Sequence, residues 1–193
     1  MNAKEFYRLF QNGLAKTITR ARACWKNATD YTDYIIDMID KEVLQENFST
    51  EERKNTGKEY FRIDLVAYTD RKNELSAPPS KTTKKSFNFN KHLWDLRVAV
   101  EHENADTSWM DEVIKLAHIA CPLRVVIGYL PKEEDKCAYL EYVHNALCNL
   151  DAYDNVQRGE LLIILGDTRC ESENEFCTYF PYIYKKNGFL PLE

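Results

Sequence analysis

The chain has few residues that interrupt secondary structure, with only six glycines and six prolines among 193 residues. It has no Gly-x-x-x-x-Gly-Lys, Gly-x-Gly-x-x-Gly or Gly-x-Ser-x-Gly pattern, which excludes the common nucleotide-binding loops and the nucleophile turn of α/β-hydrolases. A run of about 18 apolar residues is also missing, as is a basic, apolar and small-residue pattern at the N-terminus. The sequence therefore predicts neither a membrane span nor a signal peptide, and we expect no membrane partner.

Cysteine and histidine patterns typical of zinc sites are absent as well. None of the six cysteines forms a Cys-x-x-Cys pair, and the four histidines show no His-x-x-x-His spacing. Zinc binding is therefore not indicated. Most of the cysteines stand where a small buried apolar residue fits. We expect reduced thiols and a cytoplasmic location.

Hydrophobic patterning predicts a mixed α/β fold. The composition, with 44% hydrophobic and 30% charged residues, is that of a globular protein. Apolar runs predict strands, and apolar residues at helical spacing predict helices between them. The predicted strands are 61–68, 97–104, 123–129, 160–165 and 176–184, and the predicted helices are 3–26, 29–46, the segment from Ser108 to Pro122 and the segment after Pro131. This order predicts one mixed central sheet with helices on both faces.

The length is compatible with one domain and a short extension. We expect residues 1–28 to form an N-terminal helical appendage and residues 29–193 to form a single α/β domain. The aromatic segment 179–184 has two interpretations, an interface of a homodimer or the last core strand, and the core strand is favoured.

Three carboxylates on two apolar strands are the strongest functional signal in the chain. Glu101 and Glu103 follow the apolar part of one strand and project on the same side of it, because strand side chains alternate. Asp64 is embedded in the preceding predicted strand, and pairing of the two strands brings it beside them. Crowded carboxylates are costly unless a cation or a proton lies between them. Mg2+, or Mn2+ in its place, suits oxygen ligands of this kind.

Periodicity predicts the direction of two further side chains, those of Glu42 and His102. Glu42 lies at the edge of the apolar stripe of the second predicted helix, so its carboxylate either turns inward or snorkels as a surface Glu. His102, between the two glutamates, faces the other side of the sheet, which is typical of a packing histidine.

A basic segment surrounds the Asp64 strand. Residues 53–91 contain ten basic and four acidic residues, a local charge of +6, although the whole chain carries −5. A phosphate backbone that approaches the carboxylates would pass these cations. The alternative is a solvated, lysine-rich hairpin that keeps a sheet edge soluble. The expected nucleic-acid contacts are Lys58, Arg62, Lys84, Lys85 and Lys91.

The order of a helix with Glu, a strand with Asp, a strand with Glu-x-Glu, an amphipathic helix and an apolar strand resembles the core of the PD-(D/E)XK nuclease superfamily, the restriction-endonuclease-like fold. The resemblance covers roughly residues 29–130. It implies a nuclease that hydrolyses phosphodiester bonds, most simply in DNA, with Mg2+ or Mn2+.

The resemblance also assigns roles to individual residues. It implies that Asp64 and Glu101 are metal ligands and that Glu42 assists them from the helix. Glu103 stands where the family has lysine, and this position would orient or deprotonate the water. Lys115, on the following helix, is a candidate replacement for the missing lysine. A further departure is Ile63, which stands where the family motif has proline.

Two other classes of function stay open from the sequence. One is a non-catalytic protein of the same fold that binds nucleic acid or protein, which the missing lysine and the net charge of −5 favour. The other is an unrelated α/β protein in which the acidic strand end forms a structural hydrogen-bond network.

Overall fold

Seven strands in the described part of the chain form one mixed sheet whose spatial order is that of the chain. The computed structural model describes residues 1–25, 27–45, 54–60, 62–70, 94–105, 107–130, 135–150, 153–167 and 177–193. The central strands β3, β4 and β5 are parallel, and every other neighbouring pair is antiparallel. The strands are β1 (Lys54–Tyr60), β2 (Ile63–Asp70), β3 (Trp94–His102), β4 (Leu123–Leu130), β5 (Glu160–Asp167), β6 (Tyr179–Lys185) and β7 (Gly188–Pro191).

Helices cover both faces of the sheet, as the sequence predicts. The N-terminal layer consists of α1 (Ala3–Lys16), α2 (Ile18–Cys24), α3 (Ala28–Met38) and a π-helix (Ile39–Gln45), and the opposite layer consists of α4 (Trp109–Ala117), α5 (Lys136–Cys148) and α6 (Tyr153–Gln157). Each layer shares a separate hydrophobic cluster with one face of the sheet. Alternation along a strand therefore decides which layer a side chain meets. The prediction of a mixed α/β sheet with two helical layers is confirmed.

The aromatic segment near the C-terminus belongs to the core. Tyr179, Tyr182 and Tyr184 of β6 are buried, and β6 pairs with strands on both sides. The favoured interpretation of this segment as a core strand is confirmed. No helix in the described ranges is long and apolar enough to cross a membrane.

The first helix is packed into the main cluster. Phe6 and Phe10 are fully buried among sheet residues. The Tyr7 hydroxyl donates to the carbonyl of Tyr179 at 2.7 Å, and the backbone N–H of Ala3 donates to Glu160 at 2.6 Å. The N-terminal segment thus shares its core with the sheet.

Helix α3 begins with a side-chain cap. The side chain of Asn27 accepts the backbone N–H groups of Thr29 and Asp30 at 3.0 and 3.2 Å. Its oxygen thereby pairs with free N–H groups of the first turn. The side chain of Ser108, at the start of α4, makes no capping hydrogen bond.

Tertiary packing fixes the start of α4 instead. Trp109 is fully buried and lies on Gly128 of β4, where a Cβ atom would stand 2.4 Å from Cβ and Cγ of the tryptophan. Only a glycine lets the helix approach the sheet so closely. This contact sets how deeply α4 sits over the sheet.

We expect Gly128→Ala to lower the free energy of unfolding by about 1–3 kcal/mol, because the added methyl group pushes Trp109 and α4 off the sheet. Urea unfolding followed by tryptophan fluorescence measures the change. A variant within about 0.5 kcal/mol of the wild type would show that the contact with Trp109 relaxes freely and would contradict this expectation.

Candidate functional site

Asp64 and Glu101 lie opposite each other on neighbouring strands. Leu65 pairs with Val100 across β2 and β3, so the next pair along the strands is Asp64 and Glu101. Leu65 and Val100 belong to the N-terminal layer's cluster, and alternation therefore turns the two carboxylates towards α4. The Asp64 carboxylate accepts the backbone N–H of His102 at 2.9 Å. Strand pairing thus places two acidic side chains together under a helix.

A lysine from α4 occupies the space above these carboxylates. The Nζ atom of Lys115 lies 2.8 Å from Oε1 of Glu101, contacts the Glu112 carboxylate and donates to the carbonyl of Arg62 at 3.0 Å. The Glu101 side chain is only 2% exposed, whereas that of Lys115 is 34% exposed. Three oxygens therefore converge on one positive charge at the rim of the sheet.

The electrostatic state of the cluster follows from burial and from these contacts. Burial raises the pKa of Glu101 to about 8, opposed by the bond from Lys115 and reinforced by the charges of Asp64 and Glu112. Burial on its own lowers the pKa of Lys115, but the bonds to Glu101 and Glu112 outweigh it and raise this pKa. The lysine is accordingly held in its charged form.

The turn before β2 contributes a strained backbone to the same cluster. Arg62 adopts a φ of 62°, in the left-handed region, which costs a non-glycine residue roughly 1–2 kcal/mol. Its side chain is exposed, and its carbonyl accepts the bond from Lys115. Strained residues of this kind concentrate at functional sites.

Of the other predicted nucleic-acid contacts, Lys58 lies within the described residues. Lys58 lies on β1, which pairs with the Asp64 strand, at the position opposite Leu65. Lys84, Lys85 and Lys91 lie outside the described residues. Arg62 directly precedes β2, and its carbonyl accepts the bond from Lys115 beside the carboxylates.

The structure does not bring Glu42 to the Asp64 and Glu101 pair. Glu42 lies on the π-helix, and its Oε2 atom is 2.9 Å from Nζ of Lys16 on α1. Both helices belong to the layer on the other face of the sheet. The amphipathic stripe correctly placed this carboxylate at the edge of a packed helix face, but its cation is a lysine side chain of the same layer.

Glu103 follows the end of β3 and has a local partner. Its Oε1 atom accepts the backbone N–H of Ala105 at 2.8 Å, and its own N–H donates to the carbonyl of Ile127 at 2.9 Å. The carboxylate therefore shapes the turn after the strand. Alternation predicts a shared direction for Glu101 and Glu103, but the strand ends at His102 before that pattern reaches the second glutamate.

His102 faces the other layer, as its position in the strand predicts. Its Nε2 atom lies 3.0 Å from the hydroxyl of Tyr129, which is bonded to the hydroxyl of Tyr179 at 3.0 Å, and Tyr179 is bonded to Tyr31 at 2.6 Å. This network joins β3, β4, β6 and α3. Burial lowers the pKa of His102 to about 3. The prediction of a packing histidine is confirmed.

This burial makes stability depend on pH. Between pH 7 and pH 5 we expect the wild type to lose about 2 kcal/mol more stability than His102→Gln. Below about pH 6.5 the unfolded chain protonates His102, whereas the folded chain resists protonation until its pKa near 3. The contribution is therefore complete above pH 6.5 and is lost as the pH falls towards 3. Urea unfolding of both proteins at the two pH values measures it, and equal losses would contradict it.

Glu112 is the member of the cluster that sequence reasoning missed. It precedes Lys115 by three residues, a spacing that makes side chains neighbours on a helix. That spacing was a usable signal. The spacing indicates that Glu112 belongs to the site only when the position of α4 over the Asp64 and Glu101 pair is known.

The oxygen ligands of this cluster suit a hard divalent cation, although they do not form a preformed coordination site. Within the described ranges, no three Asp, Glu, His or Cys side chains are grouped so that they hold a metal ion. The groups that face Lys115 are all oxygens, two carboxylates and a peptide carbonyl. Mg2+ prefers such ligands and keeps several waters of its own, so it needs few protein oxygens.

Comparisons with protein-family models, with curated proteins and with solved structures give no match to this chain.

Proposed function

We propose that this protein is a metal-dependent nuclease with a restriction-endonuclease-like core, which hydrolyses phosphodiester bonds in DNA. The observation that carries the proposal is the contact of Lys115 with Glu101 beside Asp64. It gathers two acids and one lysine, the combination that the PD-(D/E)XK resemblance implies. The lysine comes from α4 instead of from the strand position that Glu103 occupies.

The order of elements supports the same proposal. The π-helix with Glu42 is followed by β1, by β2 with Asp64, by β3 with Glu101, by helix α4 and by β4. Apart from the additional strand β1, this is the order on which the resemblance rests. Glu101 lies near the carboxyl end of β3, one of the three parallel strands, and Asp64 lies opposite it on β2. Ligands of α/β sheets commonly bind at such strand ends.

Each residue of the cluster has a role that its chemistry allows. Asp64 and Glu101 would hold Mg2+ or Mn2+ through their oxygens. When bound, such an ion stabilises negative charge on the phosphoryl group and lowers the pKa of a bound water. Lys115, held charged, would donate to a phosphate oxygen and stabilise the charge that develops on it. Arg62, exposed at the rim, would contact the nucleic-acid backbone.

A cleavage assay tests the proposal. Purified protein is incubated with supercoiled and linear double-stranded DNA, single-stranded DNA and RNA, each with Mg2+, with Mn2+ and with excess chelator. We expect cleavage of DNA with either metal and none with chelator. A folded preparation that cleaves none of these substrates with either metal would refute the proposal.

A second candidate function is a non-catalytic protein of the same fold that binds nucleic acid or protein. The observation in its favour is that Lys115 already contacts both Glu101 and Glu112, so a cation stands at these carboxylates without a metal ion. In that case DNA binding is insensitive to chelator and no cleavage accompanies it. The same preparations distinguish the two candidates when binding and cleavage are measured side by side.

A further inference from the structure

Glu112 lies at the site without a role in the family signature. It shares one turn of α4 with Lys115 and contacts the ammonium group of that lysine. Its side chain is 22% exposed, so the contact lies partly within the protein. Lys115 therefore has two carboxylate partners, one fixed on the sheet and one on its own helix.

The position of Lys115 conflicts with a metal ion at Glu101. The ammonium group lies 2.8 Å from Oε1 of Glu101, within the space that the first coordination shell of a cation would occupy. Two positive charges at one buried carboxylate repel each other. A metal ion at this oxygen is therefore disfavoured as long as Lys115 stays on it.

Glu112 offers the lysine a second position. Because both residues lie on α4, their contact does not depend on the strand, and the lysine can leave Glu101 while keeping the bond to Glu112. If the Glu112 charge is removed, Glu101 is the one of these two carboxylates that the lysine can still contact. The ammonium group would then compete more strongly with an incoming cation.

We infer that Lys115 is the resident cation of the site, that a divalent cation binds only after Lys115 leaves Glu101 while keeping its contact with Glu112, and that Glu112 is the positioning residue for this exchange. The inference rests on the proposed metal site and deepens it. It assigns opposite effects on metal affinity to two residues that touch each other.

The affinity for Mn2+ alone, measured by calorimetry without nucleic acid, tests this exchange. We expect Lys115→Met to bind Mn2+ roughly tenfold more tightly than the wild type, because its competitor is gone. We expect Glu112→Gln to bind Mn2+ several-fold more weakly, and Glu112→Asp to restore part of the affinity. Asp111→Asn, which removes an exposed carboxylate from the same helix, serves as the matched control and should leave the affinity nearly unchanged.

The double variant Lys115→Met, Glu112→Gln separates an indirect role of Glu112 from direct ligation. If Glu112 acts only through the lysine, adding Glu112→Gln to Lys115→Met leaves the affinity unchanged, so the two effects are non-additive. A full loss of affinity in that background would identify Glu112 as a ligand and overturn the inference. Equal or weaker Mn2+ binding by Lys115→Met, including no binding by either protein, would also overturn it.

The cleavage assay is scored separately from metal binding. A wild type that cleaves DNA while Lys115→Met gains no affinity refutes the exchange but leaves the nuclease proposal intact. If Lys115→Met binds Mn2+ more tightly and neither the wild type nor any variant cleaves DNA, the exchange is supported and the nuclease proposal is refuted.

Discussion

We expect Glu101→Gln to reduce metal-dependent DNA cleavage by roughly a thousandfold without lowering the stability of the fold. Glutamine has nearly the same shape and still fits under α4. It lacks the negative charge that a metal ligand needs. The Glu101 side chain is 2% exposed, and a buried carboxylate costs more to desolvate than a neutral amide. Loss of activity without loss of stability on substitution is typical of a residue that is kept for function at the expense of stability.

Single-turnover cleavage and urea unfolding of the same preparations measure the two quantities. Asp64→Asn should lose cleavage to a similar extent, because its carboxylate faces the same space. Asp111→Asn is the control, since it removes one exposed carboxylate from α4 and should retain activity. A Glu101→Gln protein that cleaves at the wild-type rate, or that loses more than about 2 kcal/mol of stability, would instead assign Glu101 a structural role.

The sequence predicted the central strands well because they are apolar on both faces. Strand β4 is buried along its whole length and β5 along all but its end residues, so each appears as an uninterrupted apolar run. Strand β1 was missed because Lys54–Tyr60 is polar and resembles a connection. Strand β7 is only four residues long and lacks any periodicity that a pattern search detects.

Only the part of the candidate site that depends on strand geometry was predictable from the sequence. Asp64 and Glu101 follow from alternation and from pairing of neighbouring strands, which are local rules. The contact of Lys115 with Glu101 depends on how α4 lies over the sheet, and this depends on Trp109 packing against Gly128. Glu42 was assigned from the same resemblance, but the layer to which a helix belongs is a tertiary property that no spacing encodes.

Arg124 is a second buried charge, and no pattern in the sequence predicts its burial. It is fully buried on β4, and one guanidinium nitrogen donates to the carbonyl of Val156 in α6 at 3.1 Å. Another lies 3.5 Å from the carbonyl of Ile119, just after the end of α4. Burial lowers the pKa of this arginine. Its partners are main-chain carbonyls from the ends of two helices, which favour a cation.

We expect Arg124→Ala to lower the free energy of unfolding by about 3–5 kcal/mol, because it opens a cavity and leaves both carbonyls without their donor. Arg124→Met fills most of the volume and removes the buried charge, so it should cost less than half as much. Arg158→Ala, at an exposed arginine beyond α6, is the matched control and should change stability by less than about 0.5 kcal/mol. Urea unfolding of the three variants gives these values. If Arg124→Met lowers stability as much as Arg124→Ala, the hydrogen bonds to the helix ends dominate. If Arg124→Ala changes stability as little as the control, the guanidinium group contributes nothing to holding α4 and α6 on the sheet, and the expectation is wrong.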